Sequence, residues 1–144
     1  EGNIVEETDI LPTVEFPMHL YIYRQRPEIN AIVHTHAVWS TVFAAANKDI
    51  PLLVYEFKMA GGPVKCAKYA EAGTEELARY IIEALGEKSK AALLANHGAV
   101  ALGKDITDAF NVAEYLEKMA QVGVMAYIIG DGKLKEAVIK GIND

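Results

Sequence analysis

The chain has 144 residues, 51% of them apolar and 24% charged, which suits one domain with a full core rather than two. Its 14 basic and 20 acidic residues leave a net charge of −6, arguing against nucleic acid as the main partner, because phosphate backbones require a basic face. A single cysteine, Cys66, excludes an internal disulfide and points to a reducing, cytoplasmic setting.

In chain order, residues 3–8 alternate weakly and predict an edge strand. Pro12-Thr13-Val14-Glu15 predicts a helix start with Thr13 as N-cap and Pro17 in the first turn. This helix runs to about Gln25 and is stopped by Pro27. Ala31 to His36 predicts a buried strand, and Val38 to Ala46 a short helix rich in small residues. The uncharged stretch from Ile29 to Asn47 is long enough for a membrane span. Its histidines, hydroxyls and amides make it protein interior instead, so no membrane partner is expected.

Leu52 to Phe57 and Val64 to Tyr69, on either side of Gly61-Gly62-Pro63, predict two further strands. Thr74 caps a helix that ends near Leu85, with Gly86 closing it. Ala91 to Ala95 predicts a buried strand, turned by Asn96-His97-Gly98 and answered by Ala99 to Leu102. Apolar residues at 109, 112, 113, 116, 120, 124 and 127 form a helical stripe over Thr107 to Ile129. A short helix around Leu134 to Ile139 closes the chain. The fold class is α/β: a central mixed or antiparallel sheet flanked by helices, as a single domain over 1–144.

Three of the four histidines fall where chain geometry makes them converge. Side chains at i and i+2 of a strand share a face, so His34 and His36 project side by side. His97 sits on the tight turn before Gly98, at the end of another strand. Two buried imidazoles without partners would be costly, whereas three imidazole nitrogens make an open catalytic zinc site. A His-X-His-X-Asp-His hydrolase pattern is excluded, because neither Asp nor His follows His36 at the required spacing. Glu15, in the first turn of its helix, is read as a fourth ligand, a general base, or an anion stabilised by the helix dipole.

The stretches 11–19 (Leu-Pro-Thr-Val-Glu-Phe-Pro-Met-His), 32–41 (Ile-Val-His-Thr-His-Ala-Val-Trp-Ser-Thr), 50–55 (Ile-Pro-Leu-Leu-Val-Tyr), 60–62 (Ala-Gly-Gly), 69–74 (Tyr-Ala-Glu-Ala-Gly-Thr) and 93–98 (Leu-Leu-Ala-Asn-His-Gly) carry a resemblance. In order and spacing they resemble the class II aldolase/adducin family, above all its members acting on L-fuculose 1-phosphate. The resemblance implies a three-layer sandwich with His34, His36 and His97 as ligands of zinc or another divalent metal. It implies Glu15 as a ligand of the resting site that becomes the acid/base once substrate binds. Tyr55 would reach into a neighbouring subunit of a homotetramer and protonate an aldehyde oxygen. The implied reaction splits a ketose 1-phosphate, such as L-fuculose 1-phosphate, into dihydroxyacetone phosphate and an aldehyde.

Two departures keep alternatives open. The family's N-terminal phosphate-gripping loops are not in this chain, so an N-terminal part is expected to be missing. Gly132 to Asp144 also lacks the tyrosine of the family's mobile tail. A pentulose-phosphate 4-epimerase, a sugar-phosphate dehydratase, a decarboxylase and a non-catalytic metal-binding or oligomerisation domain remain as alternatives. His19 is expected to be structural, Cys66 buried filler, Trp39 core, and Lys65 and Lys68 solvated strand charges.

Overall fold

The chain is described here by a computed structural model over residues 2–3 and 9–133. The expected edge strand over 3–8, apart from residue 3, and the closing helix around Leu134 to Ile139 lie outside the described residues. The elements are α1 (Phe16–Gln25), β1 (Ala31–Thr35), α2 (Val38–Ala45), a 3-10 helix (Tyr55–Ala60), β2 (Lys65–Ala67), α3 (Glu75–Leu85), β3 (Ala91–Leu94), β4 (Gly98–Gly103) and α4 (Ile106–Ile129).

The four strands form one mixed sheet in the order β1-β4-β3-β2, with β1/β4 and β3/β4 antiparallel and β2/β3 parallel. Alternation across the pleat divides the core in two. Leu93, Ala99 and Ala101 face α2, the 3-10 helix and α4, where Phe57, Leu116 and Met119 pack. Leu94, Val100 and Leu102 face α1 and α3, where Met18, Ile22, Leu77 and Ile81 pack. The result is the expected sheet with helices on both faces. β3 and β4 are buried at every position, as the unbroken apolar run predicts.

Local chemistry sets two helix starts, the first as expected and the second one residue before the expected Thr107. Thr74 Oγ1 accepts the Leu77 N–H at 3.2 Å and opens α3. α4 is capped by Asp105, whose carboxylate accepts the Asp108 N–H at 2.8 Å. Among the described residues, no helix is long and apolar enough to cross a membrane.

Three expectations are corrected. α1 begins at Phe16, not at Val14, and Glu15 occupies the N-cap position instead of the first turn. Starting at Val14 would have put Pro17 beyond the free N–H groups of the first turn. Moving the start to Phe16 places it where its missing N–H costs nothing. Thr13 still opens the turn that leads in, its Oγ1 accepting the Glu15 N–H at 3.3 Å.

The strand expected over Leu52 to Phe57 does not form. Ile50 makes one isolated antiparallel bridge to Val64, Pro51 follows, and Tyr55–Ala60 coils into a 3-10 helix. Phe57 and Ala60, three residues apart, are both fully buried, the spacing of a 3-10 ridge and not of a strand. The strand expected over Val64 to Tyr69 shrinks to Lys65–Ala67 at the sheet edge.

Candidate metal centre

β1 and β4 run antiparallel with His34 opposite Val100 and Thr35 opposite Ala99. β3 and β4 are joined tightly, Leu94 opposite Gly98, so His97 sits at the tip of that hairpin. The carboxyl end of β1 and the hairpin tip therefore share one end of the sheet. Asn96 takes a left-handed φ of 58°, tolerable for asparagine, and this turns the chain so that His97 follows. Gly98 is needed for a different reason, close approach. A Cβ there would lie 2.5 Å from the Thr35 carbonyl oxygen and 2.6 Å from His36 Cδ2.

The three imidazoles come together as expected. Their ring centroids are 4.9, 4.9 and 4.8 Å apart, and one nitrogen from each lies within 4.8 Å of the others. The His34 ring is half-buried and its Nδ1 lies 3.0 Å from the Ala99 carbonyl oxygen. That acceptor assigns the proton to Nδ1 and leaves the Nε2 lone pair free, the arrangement a metal-ligating histidine uses. Burial pushes the His34 pKa down; the Ala99 carbonyl opposes this, and the two neighbouring histidines reinforce it.

Glu15 is 5% exposed, with Oε1 3.7 Å from His97 Nε2. Its other oxygen, Oε2, is buried and has no hydrogen-bond partner. A buried carboxylate oxygen with nothing bonded to it is costly, and a cation beside it would remove that cost. His34 Nε2 and His36 Nε2 lie 3.1 Å apart, close to the roughly 3.3 Å that two nitrogens on a tetrahedral zinc would show. The donor set therefore fits a divalent ion on His34, His36 and His97, with Glu15 adjacent.

The remaining residues separate clearly. Tyr55 stands outside this cluster, 69% exposed at the start of the 3-10 helix, its ring 4.7 Å from Lys58 Nζ. His19 lies on α1 near Glu15, and burial lowers its pKa while the Glu15 charge opposes that shift. Trp39 packs on the α4-side core. Cys66 is half-buried; burial and then Asp49 raise its thiol pKa, so it is not activated. Lys65 and Lys68 are exposed and pair with Asp49 and Glu83.

One residue escaped the sequence reading altogether. Glu117, on α4, accepts the backbone N–H groups of Trp39 and Ser40 at 2.7 and 2.9 Å, just after His36. Its only trace in the sequence is negative: Ala37, at the N-cap of α2, has no side chain able to cap.

A mixed sheet between two helical layers, with three histidines gathered at one sheet end, defines a three-layer α/β protein whose histidine cluster could hold a metal ion. The chain belongs to the class II aldolase and adducin family, whose N-terminal domain model matches residues 1–124. A 5-deoxy-D-ribulose 1-phosphate aldolase from Bacillus thuringiensis serovar kurstaki is 39% identical over 134 residues, 93% of this chain and 62% of that protein. The L-fuculose phosphate aldolase of Escherichia coli K12 is 37% identical over 132 residues, 91% of this chain and 61% of that one.

A solved L-fuculose 1-phosphate aldolase superposes with a TM-score of 0.84 at 36% identity, covering 90% of this chain and 61% of that one. YgbL of Escherichia coli, assigned only provisionally among aldolase, epimerase and decarboxylase, superposes at 0.71 and 32% identity, covering 88% and 62%. The chain spans about three-fifths of the length of these relatives.

Proposed function

We propose that this protein is a metal-dependent lyase that cleaves a ketose 1-phosphate to dihydroxyacetone phosphate and an aldehyde. The observation that carries the reading is the three-histidine cluster with the buried Glu15 carboxylate 3.7 Å from His97. The names of the relatives, aldolases acting on L-fuculose phosphate and on 5-deoxy-D-ribulose 1-phosphate, supply the substrate class.

His34, His36 and His97 would hold the ion, and an all-imidazole set of three favours zinc. When bound, it supplies Lewis-acid chemistry at the carbonyl and neighbouring hydroxyl oxygens of the sugar. Glu15 is the general base. In the condensation direction it takes the proton from the carbon beside the ketone, and in cleavage it returns it. Its burial keeps competing water away from that transfer.

Tyr55 is exposed and outside the cluster, so it serves a neighbouring copy, giving a proton to the aldehyde oxygen in condensation and taking it back in cleavage. A site completed in this way requires an oligomer, and a homotetramer is the proposed state. One cysteine and no disulfide suit a cytoplasmic setting.

The test is a panel of ketose 1-phosphates followed by NMR, with and without a chelator. Chelator-sensitive release of dihydroxyacetone phosphate is expected. YgbL's range of assignments supports the second reading: a chelator-sensitive epimer would move the assignment to a pentulose-phosphate epimerase, and loss of water or CO2 to a dehydratase or decarboxylase. No change in any sugar would sink the enzyme reading for this chain.

A further inference from the structure

α2 lies between the two corners that carry the histidines. Its N-terminus follows His36 directly, with Ala37 at the N-cap in an extended conformation and no side-chain cap of its own. The first N–H groups of a helix have no partner within it, and here a distant residue supplies one. The two carboxylate oxygens of Glu117 accept from Trp39 and Ser40. The same corner is knotted locally. Thr35 Oγ1 accepts the Ala37 N–H, and the buried Ser40 hydroxyl donates to the Ala37 carbonyl, each at 3.1 Å.

The other end of α2 is tied to the hairpin that bears His97. The Asn96 N–H donates to the Ala44 carbonyl at 2.9 Å, and its side-chain amide donates to the Ala45 carbonyl at 3.4 Å. Asn47 donates in turn to Asn96 Oδ1 at 3.2 Å. The residue just before His97 is thereby bonded to the last turn of the helix that begins just after His36. An eight-residue helix is a rigid spacer of roughly 12 Å.

We propose that α2 is a strut that sets the placement of His36 against His97, and that Glu117 and Asn96 are positioning residues for the metal centre. Neither belongs to the three-histidine group: Asn96 adjoins His97 in the chain, and Glu117 acts through the backbone of Trp39 and Ser40, in the first turn of the helix that follows His36. The inference rests on the metal-centre reading above. Its distinguishing content is that both residues govern metal affinity beyond their share in folding stability.

Asp105 provides the comparison. It also caps a helix with a carboxylate, but at the end of β4 away from the histidines. Metal affinity is measured by competition with a chromophoric zinc chelator, well below the unfolding temperature of the metal-free chain, alongside thermal unfolding of each metal-free variant.

Glu117→Ala and Asn96→Ala are expected to weaken zinc binding by about 10- to 100-fold, the range for outer residues that orient ligands. Glu117→Gln, which keeps the shape and one acceptor oxygen, is expected to fold and to lose part of that affinity. Asn96→Gly keeps the left-handed turn and should fall between Asn96→Ala and the parent. Asp105→Ala should lower the unfolding temperature and leave affinity unchanged. If the Glu117 and Asn96 variants lose stability but keep parental affinity, as Asp105→Ala does, the strut has no role at the metal and the inference is wrong. If the parent itself binds no zinc, the metal-centre reading fails and the inference goes with it.

Discussion

At the histidine end of the sheet, His34 lies opposite Val100, Thr35 opposite Ala99 and Leu94 opposite Gly98, so both segments that bear the three histidines are held by antiparallel ladder or tight hairpin. Between Ile50 and Ala67, strand pairing with the sheet is limited to one isolated bridge and three residues of edge strand, and Tyr55 emerges 69% exposed. The first region holds its side chains in place from within one chain. The second presents a side chain to whatever lies outside. A metal centre needs ligands within fractions of an ångström, whereas a group that serves a neighbouring copy needs exposure. The difference in backbone support matches the difference in proposed role.

The comparison sharpens most at Glu15, which belongs to the supported region yet does chemistry. Glu15→Gln keeps the shape but removes the base. Turnover should fall by about 10²–10⁴-fold while zinc stoichiometry is retained, measured by single-turnover cleavage and metal analysis of one preparation. Unchanged turnover would remove Glu15 from the mechanism.

Gly98→Ala attacks the supported region through its backbone. The added methyl would meet the Thr35 carbonyl at 2.5 Å, and neither neighbour is the far end of a flexible chain. A loss of about 1–3 kcal/mol in unfolding free energy is expected, with weakened zinc binding, by chemical denaturation and metal competition. A variant of parental stability and affinity would show that the corner is slack.

Acidification works on the same end more gently. Burial lowers the folded-state pKa of His34 below its ordinary value of 6.5, so the unfolded chain takes up the proton first as pH falls. Its contribution to stability is whole above that ordinary value and is lost as pH drops through it toward the lower folded value. His19 shifts the same way through burial. The metal-free chain should therefore unfold at a lower temperature at mildly acid pH than at neutral pH, and zinc should be released over the same interval. A rising unfolding temperature on acidification would contradict the burial argument.

Tyr55→Phe should have the smallest effect on this chain by itself: unfolding free energy within about 0.5 kcal/mol and unchanged zinc affinity. Turnover should nonetheless fall, with the deficit restored in mixtures with Glu15→Gln, because hybrid oligomers contain some sites with both groups intact. No restoration on mixing would argue against a tyrosine supplied by a neighbour.

The same contrast explains what was readable in the sequence. The strand ending at His34-Thr35-His36 was legible because Ala-Ile-Val leads into it and a period of two puts the imidazoles together. The hairpin was legible because Asn96-His97-Gly98 interrupts an apolar run, and α3 and α4 announce themselves by cap and stripe. The stretch after Ile50 was misread because Leu-Leu-Val-Tyr has strand composition. The deciding signal was the three-residue spacing from Phe57 to Ala60, which a search for alternation passes over. The start of α1 turned on Pro17, which shifts the frame so that Glu15 sits at the N-cap position and not in the first turn. Glu117 lies 78 residues from the N–H it satisfies, so no local pattern could place it.

The most direct test of the account is metal analysis of the purified chain after equilibrium dialysis against zinc, beside His36→Ala and His97→Ala. The account predicts one zinc per chain in the parent, removed by chelator, and affinity lowered at least about 100-fold in either variant. Parental zinc content in both variants, or none in the parent, would contradict it.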